Sequence, residues 1–279
     1  MRELLQVHLA DTYKIGKEIG RGGMGVVYRA LYIPIQEERA IKVLLLAHNA
    51  PQERRDFFLR EIRSMDQIRH PRIAPLLESS TMGPITFLAT AYYPGGSLAE
   101  VSRRRGGMLG ADEAVSITLD ALDGLAFLHG EGFVHRDIKP SNLLLDADGL
   151  VYIGDLGLAK SFELAGLSDF TQSQSSAWGT RNFMPPEQLF NFKYVKPSAD
   201  VFSMGVTLYW LLTGRLPREG DLRGRAILDT PMIPIRQRLP ALSQHLSDVV
   251  NKALAKDPVQ RFASAVEMRA ALMAAFEGG

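Results

Sequence analysis

Eight residues, His135-Arg136-Asp137-Ile138-Lys139-Pro140-Ser141-Asn142, constrain this chain more than any other stretch. Apolar runs bracket them: Gly132-Phe133-Val134 before and Leu143-Leu144-Leu145 after. A fold that accommodates this pattern presents a polar loop between two short apolar strands, at the mouth of a cleft. The loop carries an acid, a lysine and an amide. Phosphoryl transfer needs that set: a carboxylate to orient and deprotonate a hydroxyl, a cation on the moving phosphate, and an amide oxygen on a metal. A lone His-Arg-Asp triplet is more often a solvated turn. Eight consecutive residues with separate jobs are not.

The residues upstream alternate apolar runs with turn residues from 13 to 46, as antiparallel strands do. Met1 to Ala10 reads as a short strand or a helical lead-in. The first turn holds Gly20, Gly22 and Gly25, flanked by Ile19 and Val27. Glycines let backbone N–H groups approach phosphate oxygens without an intervening Cβ. A dinucleotide-binding turn would continue into a helix and meet an acid further on. Here Val26-Val27-Tyr28, all β-formers, follow the last glycine, and the charge that arrives is Lys42. Lys42 lies inside the apolar run Ala40-Ile41-Lys42-Val43-Leu44, where a cation is costly unless paired. Nucleotide phosphates are one partner. An acid on the next helix, read over Gln52 to Ile68, is the other, and Glu61 adjoins that helix's apolar stripe of Phe58, Ile62 and Met65.

His70-Pro71 ends the helix, because the residue before proline leaves the α region. Ile85 to Ala91 is strand-like, and Tyr92-Tyr93-Pro94-Gly95-Gly96 breaks it. Ala111 to His129 has apolar residues at helical spacing. Leu143-Leu144-Leu145 and Leu150-Val151-Tyr152-Ile153 read as a hairpin around Asp146-Ala147-Asp148-Gly149, followed by Gly154-Asp155-Leu156-Gly157. A long polar run to Thr180 contains Ser168, Thr171, Ser173, Ser175 and Ser176, and loops of that length are usually functional. His129 and His135 suit packing or hydrogen bonding, since neither has a partner at metal-ligand spacing.

These motifs, in this order, resemble the protein kinases, over roughly residues 13 to 273. Lys139 after Asp137 is the Ser/Thr form, and Gly22-Gly23-Met24-Gly25 and Arg261-Phe262-Ala263-Ser264-Ala265 look closest to bacterial, eukaryotic-like Ser/Thr kinases. The resemblance implies an α+β bilobal fold: a β-rich N-lobe with one helix at about 13–88, a hinge at about 89–97 and a helical C-lobe at about 98–273. It implies ATP among Ile19, Gly20, Gly22, Gly25, Val27, Ala40, Thr90, Tyr92 and Leu144, with Thr90 as gatekeeper. Lys42, positioned by Glu61, would hold phosphates. Asp155 and Asn142 would bind Mg²⁺, with Mn²⁺ as the alternative. Asp137 would be the base and Lys139 the cation on the transferring phosphate. Asp155-Leu156-Gly157 departs from the usual D-F-G at its middle, packing residue, and Pro185-Pro186-Glu187 departs from A-P-E at its first. By the same resemblance Asp200 braces the catalytic loop backbone and Arg261 pairs with Glu187. The Ser-rich run would be an activation loop, phosphorylated by a second copy in a transient homodimer, and Thr180 would contact Asp137 and Lys139.

The chain contains no cysteine, which excludes disulfides, thiolate nucleophiles and Cys-based zinc sites. A formal net charge of +1 gives bulk electrostatics no reason to recruit nucleic acid or acidic membrane. No apolar run approaches the roughly 20 residues of a membrane span. The expected location is the cytoplasm, or the cytoplasmic part of a longer membrane protein. The expected partners are protein substrates and ATP. Two rivals share the fold: a pseudokinase scaffold and a small-molecule kinase of the aminoglycoside phosphotransferase kind. The first would lack one of Lys42, Asp137, Asn142 or Asp155, all of which are present. The long Ser-rich run and Pro185-Pro186-Glu187 speak against the second.

Overall fold

A computed structural model describes residues 1–22, 25–44, 52–63, 67–82, 85–156, 181–190, 195–219 and 230–278, without the side chains of residues 52, 54, 61, 82 and 190. The described residues form two compact units. Residues up to Arg69, with Ala74–Tyr92, make the first; His70–Ile73, with those from Tyr93 onward, make the second.

The first unit is built on a five-stranded antiparallel sheet: β1 (Tyr13–Gly22), β2 (Gly25–Tyr32), β3 (Glu37–Leu44), β4 (Leu76–Met82) and β5 (Ile85–Ala91), in the order β1-β2-β3-β5-β4. Side chains alternate across a strand, so each strand gives every second residue to one face. Val26, Tyr28 and Ala30 of β2, Ile41 and Val43 of β3, and Ile85, Phe87 and Ala89 of β5 form one buried face. Helix α1 (Arg2–Leu9) adds Leu5 and Leu9 to that core, at the i, i+4 spacing of a helix face. Burying each leucine contributes about 2 kcal/mol. Helix α2 (Gln52–Arg63) buries Phe58, Leu59 and Ile62. It is shorter than the sequence suggests, since Gln67 and Ile68 are already outside helix. Strand β5 runs from Ile85 to Ala91, the stretch the sequence reads as strand, so residues 89–91 at the start of the range that the resemblance gives to the hinge are ladder residues.

The second unit is mainly helical: α3 (Leu98–Arg104), α4 (Ala111–Gly130), α5 (Pro186–Phe190), α6 (Ser198–Thr213), α7 (Gln244–Ala253) and α8 (Ala265–Glu277). Its small sheet pairs β6 (Gly96–Ser97), β7 (Leu143–Leu145) and β8 (Val151–Ile153). The expected hairpin is therefore present, its turn closed by Asp146 Oδ1, which accepts from the N–H of Asp148 and of Leu150. Helix α3 starts with a capping box: Ser97 accepts from Glu100 N and Glu100 accepts from Ser97 N. Helix α6 is buried over almost its whole circumference, as a central core helix is, and α4, α7 and α8 pack against it. An antiparallel sheet unit followed by a helical unit is the expected α+β architecture.

Candidate active site

In the first unit, strand register determines which residues share a face. Val27 pairs with Lys42, Lys42 with Leu88, and Ala40 with Thr90. Period-two alternation then puts Val27, Ala40, Lys42, Leu88 and Thr90 on one face, opposite the Ile41–Val43–Phe87 core. Thr90 therefore stands on the face that carries Lys42. Gly22 faces Gly25 at the end of the β1–β2 ladder. A Cβ on Gly25 would lie 2.3 Å from the Val43 carbonyl oxygen, so only glycine lets β2 approach β3 there. The Arg29 guanidinium sits 5.0 Å from the centre of the Tyr92 ring. The Glu61 side chain lies outside the described residues.

In the second unit the polar octapeptide is a loop tied together by its own side chains. Lys139 Nζ donates to both oxygens of Asp137, at 2.9 and 2.8 Å. Asn142 Nδ2 donates to the Asp137 carbonyl at 2.7 Å and to its Oδ2 at 3.0 Å. Asp137, Lys139 and Asn142 are thus brought together as the sequence suggests. Because Asn142 spends its NH₂ on Asp137, its Oδ1 is the oxygen left for a cation. The Asn142 carbonyl accepts from Gly154 N at 2.7 Å, which sets the loop directly beside the residue preceding Asp155. A Cβ on Gly154 would meet Leu144 Cδ1 at 2.9 Å, so a larger residue there would have to displace that leucine's tip.

The loop's conformation is imposed from a distance. Arg136 has φ +69°, a left-handed backbone that costs a non-glycine residue energy. Fully buried Asp200, in the first turn of α6, holds it there. Its Oδ1 accepts from Arg136 N and its Oδ2 from His135 N, both at 2.8 Å. His129 Nε2 donates to the same Oδ2 at 2.9 Å. Burial alone would push the Asp200 carboxyl up; the His129 bond and the Arg136 N–H outweigh it and hold the carboxyl below its ordinary range. Burial lowers the Arg136 guanidinium from its ordinary value, with Asp200 opposing. His135 Nε2 donates to the Gly154 carbonyl at 3.0 Å and its Nδ1 accepts from Asp137 N at 3.3 Å, which fixes the tautomer. Both histidines are hydrogen-bonding residues, as expected.

Arg261 is also where the sequence puts it. Its Nη1 and Nη2 donate to Glu187 Oε1 and Oε2 at 2.7 and 2.9 Å. Its remaining donors reach the carbonyls of Ser198, Ala255 and Lys256. Sequence reasoning missed Gln188, whose Nε2 donates to the Arg136 carbonyl at 2.6 Å. An uncharged amide gives no sequence signal for a carbonyl 52 residues upstream. Gly157 and the whole run 158–180, with Thr171, Ser173, Ser175, Ser176 and Thr180, lie outside the described residues.

No group of three or more His, Cys, Asp or Glu side chains that could cage a metal occurs among the described residues. One carboxylate, Asp155, and one amide oxygen, on Asn142, suit a hard cation that keeps waters and takes phosphate oxygens as its other ligands.

A family model described as "Protein kinase domain" matches residues 13–273. The serine/threonine-protein kinase PknB of Mycobacterium leprae is 34% identical over 97% of this chain and 44% of its own length. PrkC of Bacillus subtilis, also a serine/threonine-protein kinase, is 30% identical over 98% of this chain and 42% of its own. The chain thus spans less than half the length of these curated relatives. A crystal structure of the Mycobacterium tuberculosis PknI kinase domain matches with a TM-score of 0.74 at 24% identity, over 95% of this chain and 96% of that one.

Proposed function

The chain belongs to the protein kinase domain family, and from that premise we propose that it transfers the γ-phosphoryl group of ATP to Ser and Thr hydroxyls of proteins. One observation carries this reading: Asp137 is held by Lys139 and Asn142 within a single loop whose backbone is anchored on a buried acid. Kinases of this family use ATP and a divalent metal, and we take the metal to be Mg²⁺. Asn142 and Asp155 would hold it, and it would neutralise charge on the phosphates. Lys42 would hold phosphate oxygens, with Glu61 as its positioning acid. Ile19, Gly20, Gly22, Gly25, Val27, Ala40, Thr90, Tyr92 and Leu144 would line the nucleotide's place.

Asp137 accepts the proton of the incoming hydroxyl. Lys139, already on both oxygens of that carboxylate, neutralises charge on the transferring phosphoryl group. Phosphorylation between two copies, on Thr171 or Ser173, completes the reading. The work takes place in the cytoplasm, where ATP is. No helix among the described residues is long and apolar enough to cross a membrane.

The test is transfer of radiolabelled phosphate from Mg·ATP to the protein and to a generic protein acceptor. The wild type labels both. Asp137→Asn keeps nucleotide binding but transfers roughly 10²–10⁴ more slowly, the range for a positioned base. Equal rates reject the base assignment. Nucleotide binding without transfer by the wild type supports the scaffold reading instead.

A further inference from the structure

The family match begins at residue 13, so it leaves out α1. Yet α1 makes three separate attachments to β1, the strand that carries Ile19, Gly20 and Gly22. Leu5 and Leu9 are 0% and 5% exposed in the sheet's core. Arg2 Nη2 donates to the Ile15 carbonyl at 3.2 Å. Gln6 makes a two-point contact: its Nε2 donates to the Tyr13 carbonyl at 3.1 Å and its Oε1 accepts from Ile15 N at 2.8 Å.

These bonds matter because β1 is an edge strand. Its outward N–H and C=O groups have no sixth strand to pair with. The Gln6 amide supplies one donor and one acceptor at the spacing a neighbouring strand would. Beyond Ile15 the β1–β2 ladder loses regularity. Its register shifts between Ile15 and Glu18 and again between Glu18 and Gly20. Such irregularities bend and twist a strand. The direction in which β1 leaves the pair Ile15 with Ala30, the last before the first shift, therefore bears on how the glycine turn rejoins the ladder at Gly20 with Val27. Gln6 grips Ile15, the residue at which the first shift begins.

We propose that Gln6 is a positioning residue for the glycine turn, acting through β1 on the nucleotide rather than on the protein substrate. The inference rests on the nucleotide reading of Gly20, Gly22 and Gly25. Gln6 touches no reacting atom.

The experiment compares Gln6→Ala and Gln6→Glu with the wild type in steady-state transfer and in amide exchange of residues 13–22. Gln6→Ala removes both bonds to β1 and should raise KM for ATP roughly fivefold, the scale of one hydrogen bond's net contribution, because only part of that loss is felt at the turn. Its kcat and its KM for the protein acceptor should stay near wild type. Glutamate still accepts from Ile15 N but cannot donate to the Tyr13 carbonyl, so Gln6→Glu should fall between the two. Exchange of residues 13–22 should quicken in the same order. A lower melting temperature with unchanged KM for ATP, assayed well below melting, overturns the proposal. Unchanged exchange overturns it too, and that measurement needs no nucleotide. Failure of wild-type protein to bind Mg·ATP in calorimetry would instead count against the nucleotide reading, while quickened exchange would still support Gln6 as the residue that positions the turn.

Discussion

Lys42 stands in a ladder, with Val27 across from it on one side and Leu88 on the other. Behind it, on the opposite face of β3, lies a carbon core of Ile41, Val43, Tyr28 and Phe87. Asp137 stands on a loop one residue after a left-handed Arg136, and behind it lies a buried polar network: Asp200, His129, His135 and Gln188. Repetitive backbone pairing positions the first group and many-partnered side chains position the second. A ladder spreads the loss of one side chain over its neighbours. A network that converges on one carboxylate does not. The second unit should therefore be the more brittle, and the more sensitive to acid.

Asp200→Asn is the harshest way to test that difference. The amide keeps the shape but cannot accept on both oxygens, so the His135 N–H, Arg136 N–H and His129 compete for one acceptor. Removing one side of a buried ionic network costs about 3–5 kcal/mol. Amide exchange should quicken in 129–142 and in α6, and remain slow in β2, β3 and β5. Equal quickening in the strands would abolish the distinction. The same group sets a pH limb. Its folded pKa lies below the ordinary carboxylate value of about 4, so its stabilisation is fully present above that value. It is lost as pH falls through the lowered, folded value. Acid titration followed by circular dichroism should show this limb flattened in Asp200→Asn.

Arg261→Lys comes next. A lysine ammonium has three donors on a point charge, whereas Arg261 serves two carboxylate oxygens and three carbonyls. The expected loss is about 2 kcal/mol, the range for charged hydrogen bonds, read as a lower urea midpoint. Ile41→Val should do least. Removing one methylene from the first unit's core costs about 1 kcal/mol and should leave KM for ATP unchanged. A large change in KM there would show that the ladder passes strain on as readily as the network does.

Much of the site was legible because its chemistry is local. Asp137, Lys139 and Asn142 lie within one loop, so their grouping survives any reasonable fold. The Arg261–Glu187 bond was legible only through the family resemblance, because the two residues lie 74 apart in sequence. Gln188 was not, because an uncharged amide next to a glutamate carries no signal of a carbonyl far upstream in the chain. The face of Thr90 needed the β3–β5 pairing, which is non-local and skips β4. Helix α1 stayed ambiguous because eight residues are too few for periodicity to separate helix from strand. The end of α2 was set too late: Gln67 and Ile68 already lie outside helix, ahead of the stop read at His70-Pro71.

The left-handed backbone at Arg136 has a consequence for engineering. Eight contiguous residues look portable, and a designer could graft His135 through Asn142 onto another scaffold. The graft would carry the atoms and lose the shape. The bonds that hold Arg136 at φ +69° come from Asp200, 65 residues beyond His135, and from Gln188, 52 residues beyond Arg136. The smallest transplantable piece is therefore not the loop. It is the loop with the start of α6 and the start of α5, held at their native spacing.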